Sequence, residues 1–283
     1  MSSAGQEVVR LGSSPRWPTR SERARAPESA PLYAYLLDAD DDLAEELDIR
    51  TRFAARQLAT ARVLEADTGE CALESWFAAV GHGPGLLILD GLVAVDTRIA
   101  DRTVTQLLGG GDLLQPLSRH EDDMIERAAS WRALCDCRLA LLDAEFAERV
   151  LPWPQIGHTL LRRTQRRAED LGMLRAISCQ PKLEVRLVLF LWHLAARWGR
   201  VEPSGIRLKL PLTHRLLGQL VGAERPSVSH ALGRLADAGL VSGTAGDWHL
   251  HGSLDAHLER LIEGTARHAP THRARRSAGG RMA

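Results

Sequence analysis

Apolar positions recur at two different periods along this chain, and the change of period divides it. From Pro211 to Gly252 the spacing is helical twice over, with a turn between. Leu216, Leu217 and Leu220 mark the inner face of a first short helix. Thr213 before them is an N-cap, because its hydroxyl accepts from free N–H groups of the first turn. Gly222 supplies the left-handed residue that ends this helix. Pro226 opens a second helix at a position where its missing N–H costs nothing. Val228, Ala231, Leu232 and Leu235 form the buried face of that helix, leaving Ser227, Ser229, His230 and Arg234 pointing outward. Gly239 stops it, and Leu240–Val241 with Trp248–Leu250 predict a two-stranded wing around a Gly/Thr/Asp turn. These constraints meet in one short window. They predict a winged helix-turn-helix, a unit that lays its second helix in the major groove of DNA.

The N-terminal half reads differently. Tyr33 to Leu47 predicts a helix with an acidic end, and Asp40, Asp41, Asp42, Glu45 and Glu46 form its charge run. That run lacks the glycine and ligand spacing of a calcium loop and reads as a solvated helix N-terminus. From Ala61 to Leu142 short β-like runs are punctuated by glycine: Ala61–Ala66, Gly85–Asp90, Leu92–Val95, Val104–Leu108 and Trp131–Leu142. Evenly spaced strands with turn signals predict a β-sandwich or jelly roll, which must fill its interior or hold a ligand there. After Trp153-Pro154, Gln155 to Ser178 predicts one long helix with Ile156, Leu160, Thr164, Ala168, Leu171 and Arg175 on one stripe. Arg162, Arg163, Arg166 and Arg167 lie off it, so the apolar seam is narrow and suits pairing with a second chain. Leu183 to Trp198 is a strongly apolar helix, Gly199 to Gly205 a loop, and Ile206–Leu210 a strand leading into the helix-turn-helix.

The predicted class is therefore α+β. Residues 1–31, rich in Ser, Pro, Ala and Arg, form a disordered tail; 32–152 form the β-roll; 153–180 the dimerisation helix; 181–262 the winged helix-turn-helix; and 263–283 a basic disordered tail. The length of 283 residues fits about two domains. Formal net charge is zero, which argues against a generic polyanion binder and makes charge distribution the informative quantity. The tail after Glu263 carries no acidic residue and would add a salt-dependent attraction to phosphate. No apolar run is long enough to span a bilayer and no signal pattern opens the chain, so the expectation is a cytoplasmic protein without a membrane partner. Cys71, Cys135, Cys137 and Cys179 are expected as free thiols.

The order β-roll, long helix, winged helix-turn-helix resembles the family of the catabolite activator protein and the fumarate–nitrate regulator (CRP/FNR). The resemblance rests on Gly69-Glu70, Leu86–Val95, Gly109–Leu114 and Trp131–Phe146 in the first half. In the second half it rests on Arg186–Gly199, Leu210–Val241 and the wing. It implies a cyclic-nucleotide-binding-like roll and a homodimeric transcription factor on a palindromic double-stranded DNA site, with RNA polymerase as a further partner. The family often reads bases with Arg, Glu and Arg on the second helix, and here the matching positions hold Arg225, Pro226 and His230. Arg225 keeps the bidentate fork that suits guanine, whereas Pro226 cannot replace a carboxylate that accepts from cytosine. Ser227, Ser229 and Thr213 suit phosphate contacts, and Arg234 completes the outward set.

The sensor half departs further from the family. Cyclic-nucleotide binders of this type carry Gly-Glu, then Arg-Ser or Arg-Thr, around the phosphate. Gly111-Asp112 stands for the first pair here, and Arg127 is followed by Ala128, with Ser130 nearby. The intervening Glu121, Asp122, Asp123 and Glu126 would repel a phosphate unless they face solvent. The resemblance thus admits a cyclic nucleotide, but the cassette favours another small effector or none. Cys135-x-Cys137 places two thiols on one strand face without an iron–sulfur pattern, and His82, His120 and His158 carry nothing that marks them as haem ligands. No catalytic or metal-binding residues are singled out. Besides the effector-sensing regulator, a ligand-independent regulator whose roll serves for dimerisation or polymerase contact remains open. A cupin-like enzyme is a remote third reading, since no strand offers a His-x-His pair outside the wing's His249 and His251.

Overall fold

The computed structural model describes residues 32–266 apart from 72, 117–123 and 126. The tail at 1–31, nearly all of the tail predicted from 263 and the acidic residues between 121 and 126 lie outside the described residues, as does His120. The N-terminal half is an antiparallel β-roll of two facing sheets. One has the order β1 (Tyr33–Tyr35), β2 (Thr60–Ala66), β9 (Cys137–Leu142), β4 (Gly85–Asp90), β7 (Leu113–Leu114). The other has the order β3 (Gly69–Glu70), β8 (Arg127–Ala133), β5 (Leu92–Ile99), β6 (Arg102–Gly109). Helices α1 (Leu36–Ala39), α2 (Ile49–Arg56), α3 (Glu74–Val80) and α4 (Ala144–Val150) fill in around them.

Strand alternation explains why these runs read as continuously apolar. On β5, Val93 and Val95 point into the roll while Leu92 and Ala94 point out of it. On β9, Leu139 and Leu141 point in while Ala140 and Leu142 point out. Both outer faces are covered. The first sheet is covered by α1, α4 and the start of the long helix α5 (Pro154–Ser178), and the second by the C-terminal domain. Sheets buried on both faces lose the polar half of the alternation. The C-terminal core therefore continues without a break from Leu92, Ala94 and Leu107 into helix α6 (Leu183–Trp198) and beyond.

Several predicted elements need correction. Tyr33 to Leu47 is not one helix. It is β1, the single turn α1 and a 3-10 turn at Asp41–Ala44, because β1 is drawn into the sheet by pairing with β2. Trp131–Leu142 is two strands, β8 and β9, in different sheets, joined at residues 134–136. That turn holds neither Gly nor Pro and gives no punctuation. Cys135 therefore sits in a turn and Cys137 at the start of β9, not side by side on one strand. The loop at 199–205 holds β10 (Gly199–Glu202), which pairs with β11 (Gly205–Leu208) through a tight Pro203-Ser204 turn. Gly205 at φ +141 is required there, since a Cβ would meet the Leu250 carbonyl oxygen. The wing strands β12 (Val241–Thr244) and β13 (Asp247–His251) are thus half of a four-stranded sheet, order β10-β11-β13-β12. Helix α9 (Leu254–Ala266), started by Ser253, carries on past the tail boundary predicted at 263.

The helix-turn-helix forms where its local signals place it, as α7 (His214–Val221) and α8 (Arg225–Asp237). Thr213 Oγ1 accepts from the Leu216 N–H at 3.1 Å, Gly222 takes φ +67, and Pro226 stands in the first turn of α8. Gly218 faces the turn so closely that an added Cβ would meet the Ala223 carbonyl oxygen at 2.5 Å. No helix among the described residues is long and apolar enough to cross a membrane.

Candidate nucleic-acid interface and sensor pocket

The outward face of α8 is set by its core face. Val228, Ala231, Leu232 and Leu235 are buried, which leaves Arg225, Pro226, Ser227 and His230 exposed. Arg225 and His230 engage in no ion pair among the described residues, so their side chains project freely at the start and middle of the helix. The remaining predicted contacts are already engaged. Ser229 donates to the Arg225 carbonyl at 3.1 Å and accepts from His214 Nδ1 at 2.8 Å, stitching α8 to α7. Arg234 is turned back onto Glu184 of α6, which makes it a clamp between helices. Thr213 is exposed but spends its oxygen on the cap of α7. The polar side chains of the predicted set left unengaged among the described residues are therefore Arg225, Ser227 and His230.

The roll holds this domain by a polar chain on its outer face. Asp96 of β5 is buried and binds Arg132 of β8 at 2.8 Å and the hydroxyl of Thr105, and Arg132 reaches Gln219 of α7 at 3.4 Å. Arg102, beside the β5–β6 turn, approaches Glu224 at 3.7 Å, but both side chains are exposed and contribute little.

In the acidic run Asp41, Asp42 and Glu45 are exposed, but Asp40 and Glu46 are turned onto α5. Asp40 grips Arg163 of α5 with two bonds of 2.6 Å, both side chains largely buried, and Glu46 reaches Arg162 at 3.1 Å and His158 at 3.5 Å. Burial lowers the Arg163 pKa, but the hydrogen bond to Asp40 and the attraction of Asp40, Asp42 and Asp112 together outweigh it and raise the pKa. Two of the arginines predicted to flank a dimer seam are therefore tied to the roll. The seam itself is corrected too. Ile156 and Leu160 are buried against the roll's outer sheet and α4. Leu161 and Leu171 stand about half exposed, with Ala168 exposed and Thr164 half-buried. Gly157, Leu161, Thr164, Ala168 and Leu171 alternate by four and three residues, a heptad stripe on the open side of α5.

The four predicted effector-pocket residues are not brought together. Arg127 pairs with Ile99 and Ser130 with Asp96, while Gly111 and Asp112 follow Gly109, which pairs with Leu92. The Arg127 and Gly109 partners are seven β5 positions apart, roughly 23 Å of strand. Between the sheets, Leu86, Ile88, Val93, Val95, Trp131 and Leu139 occupy the roll interior. Gly111 and Asp112 instead line a cavity of about 470 Å³ outside the roll, bounded by α5 and α6. Asp112 binds Arg197 of α6 at 2.7 Å and caps the Gly109 N–H at 2.8 Å. Gly109 has no room for a side chain, since a Cβ would sit 3.0 Å from the Trp198 ring, and Gly111 takes φ +87. Gly109 and Gly111 are thus explained by close approach of α6 and a left-handed turn, not by a phosphate cradle.

The thiols are free. The Cys137 thiol donates to the Cys135 carbonyl at 3.1 Å, and a side-chain interaction between the two thiols lowers the Cys135 pKa while raising that of Cys137. His82 is exposed, and His158 faces only Glu46. Among the described residues no group of three or more His, Cys, Asp or Glu is placed to hold a metal.

A Crp-like helix-turn-helix domain model matches residues 185–251, the segment from α6 through β13. The matched segment is a Crp-like helix-turn-helix domain, and the chain as a whole resembles CRP/FNR regulators. A CRP-like cAMP-activated global transcriptional regulator of Mycobacterium tuberculosis is 27% identical over 158 residues, 55% of this chain and 70% of the relative. A global nitrogen regulator of Synechococcus elongatus is 26% identical over 111 residues, 39% of this chain and half of the relative. Among solved structures, a CooA mutant from Carboxydothermus hydrogenoformans superposes with TM-score 0.55 at 18% identity, covering 83% of this chain and 97% of that one. The c-di-GMP responsive global regulator CLP of Xanthomonas campestris superposes with TM-score 0.52 at 19% identity, covering 71% and 98%. These structures share the fold of this chain; the mycobacterial relative is cAMP-activated, whereas the Xanthomonas regulator is c-di-GMP responsive. The chain is a transcriptional regulator with a Crp-like, DNA-binding helix-turn-helix.

Proposed function

We propose that this CRP/FNR regulator acts as a homodimer on a palindromic DNA site, with α8 of each protomer in successive major grooves. The observation that carries the reading is the unengaged Arg225 at the first turn of an exposed α8, beside Ser227 and His230. A guanidinium there suits a bidentate contact to guanine, and Ser227 suits a phosphate. The heptad stripe of Leu161, Thr164, Ala168 and Leu171 supports pairing of α5 with its copy. Such a dimer spaces its half-sites one helical turn apart, about 34 Å. RNA polymerase is a proposed partner on family grounds, and the protein acts in the cytoplasm.

The regulator reading includes a small effector other than a cyclic nucleotide. The apolar packing between the two sheets supports placing any effector outside the roll interior. The same packing also favours a second reading, in which the roll only carries the dimer and the DNA-binding domain and answers to no metabolite. Selection of bound duplexes from a random pool, using purified protein without added ligand, tests the first claim. Enrichment of an inverted repeat is the expected result. Recovery of no motif, with or without cell extract, overturns it.

A further inference from the structure

The cavity bounded by the Gly110–Asp112 turn, α5 and α6 is lined by four arginines, Arg163, Arg166, Arg167 and Arg197, two of which have no carboxylate at ion-pair distance among the described residues. Arg163 is matched by Asp40 and Asp42, and Arg197 by Asp112. Arg167 is not matched. It donates to the Leu113 carbonyl at 3.0 Å and to Gln106 Oε1 at 3.1 Å, both neutral acceptors, and makes no ion pair among the described residues. Burial pushes its pKa below the usual arginine value, outweighing the attraction of the nearby Asp112 carboxylate, which Arg197 already holds. Arg166 beside it is exposed, lines the same cavity and is likewise without an ion pair among the described residues. A cation left uncompensated in a partly buried site is costly unless something supplies the opposite charge. The remaining wall is apolar and aromatic, with Leu107, Phe190, Leu194 and Trp198. The volume of about 470 Å³ lies in the range of small-molecule sites.

We infer that this cavity binds a small organic monoanion, its acidic head on Arg166 and Arg167 and its apolar body against Leu107, Phe190 and Trp198. Asp170 decides for a single negative charge. It lines the same wall and no arginine neutralises it at ion-pair distance among the described residues, so a dianion would meet a carboxylate. His193 also lines the cavity. The inference rests on the effector reading above and deepens it. Arg197 holds both the Asp112 carboxylate and, at 2.8 Å, the Gly110 carbonyl, so the cavity spans the seam between the roll and the helix that carries the DNA-binding domain. A ligand there touches both sides of the seam. It shifts DNA affinity by whatever difference in affinity it has for two arrangements of that seam.

The test uses the full chain and 1-anilinonaphthalene-8-sulfonate, an aromatic monoanion, with N-phenyl-1-naphthylamine as the neutral dye of the same skeleton. The expected result is saturable binding of the anionic dye at one site per chain, at least about tenfold tighter than the neutral dye. Arg166→Gln removes that difference, and Asp170→Asn strengthens the anionic dye alone. Both variants change surface or cavity-wall side chains and leave the helix hydrogen bonds in place. Equal binding of the two dyes, or an unchanged constant in Arg166→Gln, overturns the site. Affinity for the selected DNA is then measured with and without the anionic dye. A shift that Arg166→Gln abolishes supports the effector reading. Site-specific dye binding with no shift in DNA affinity overturns that reading and leaves the site standing.

Discussion

Removing either member of the Asp40–Arg163 pair should cost far more than a surface ion pair does. The geometry sets the size. Both side chains are about nine-tenths buried, and the guanidinium meets the carboxylate through two bonds of 2.6 Å. Two unit charges about 4 Å apart interact by about 4 kcal/mol at an effective dielectric constant near 20. Truncating one partner also strands the other in a site that water enters poorly. Arg163→Ala and Asp40→Asn should therefore each destabilise the roll by about 3 kcal/mol. At 2–4 °C per kcal/mol this is a fall of about 6–12 °C in the roll's unfolding transition. The assay is a double-mutant cycle by urea denaturation and calorimetry. The double variant Asp40→Leu/Arg163→Met should recover much of the loss, since it leaves no unpaired charge. The coupling should change little between low and high salt, because a buried pair is poorly screened. Single losses below about 1 kcal/mol that simply add would refute the reasoning and return the acidic run to a solvated surface role.

Other perturbations separate the roles of neighbouring residues. Leu161→Asp should give monomers by light scattering with the fold intact. Ile156→Ala should cost about 2–4 kcal/mol and leave the oligomeric state unchanged, because Ile156 is fully buried in its own protomer. His257 is buried, its Nδ1 accepting from Trp192 Nε1 at 3.2 Å and its Nε2 bonded to the His251 carbonyl, and burial lowers its pKa from 6.5. The unfolded chain then binds the extra proton first. The contribution is full above about pH 6.5 and is lost as pH falls below it, so urea midpoints should drop on acidification. His257→Gln, which keeps both bonding partners and does not titrate, should flatten that slope. Gly218→Ala should destabilise the helix-turn-helix by more than about 1 kcal/mol, as the added methyl collides with the Ala223 carbonyl, and thermal unfolding reads the loss.

What the sequence made legible was local. The Thr213 cap, the left-handed Gly222 and the placement of Pro226 are each decided within a few residues, and the helix-turn-helix forms as they dictate. Elements decided by distant partners were not legible. Asp40 and Arg163 are separated by 123 positions, so nothing near Asp40 distinguishes a clasp from a solvated charge run. Leu160 and Leu161 are adjacent apolar residues on one helix, and only the roll on one side shows that the first is core and the second exposed. The β10–β11 hairpin was missed for another reason. β10 is four residues long with Val201 as its one large apolar side chain, too short to show a period, although Pro203-Ser204-Gly205 carried the turn signal. Of the predicted base and phosphate contacts, the sequence could not show that Ser229 and Arg234 are spent within the domain.

Comparing the motifs that wild type and Arg225→Ala select from the same random duplex pool tests the central claim most directly. The account predicts one inverted repeat for both proteins, with preference lost at a single base pair per half-site in the variant, a discrimination of about 1–3 kcal/mol. Identical motifs from the two proteins, or no inverted repeat from either, would contradict it.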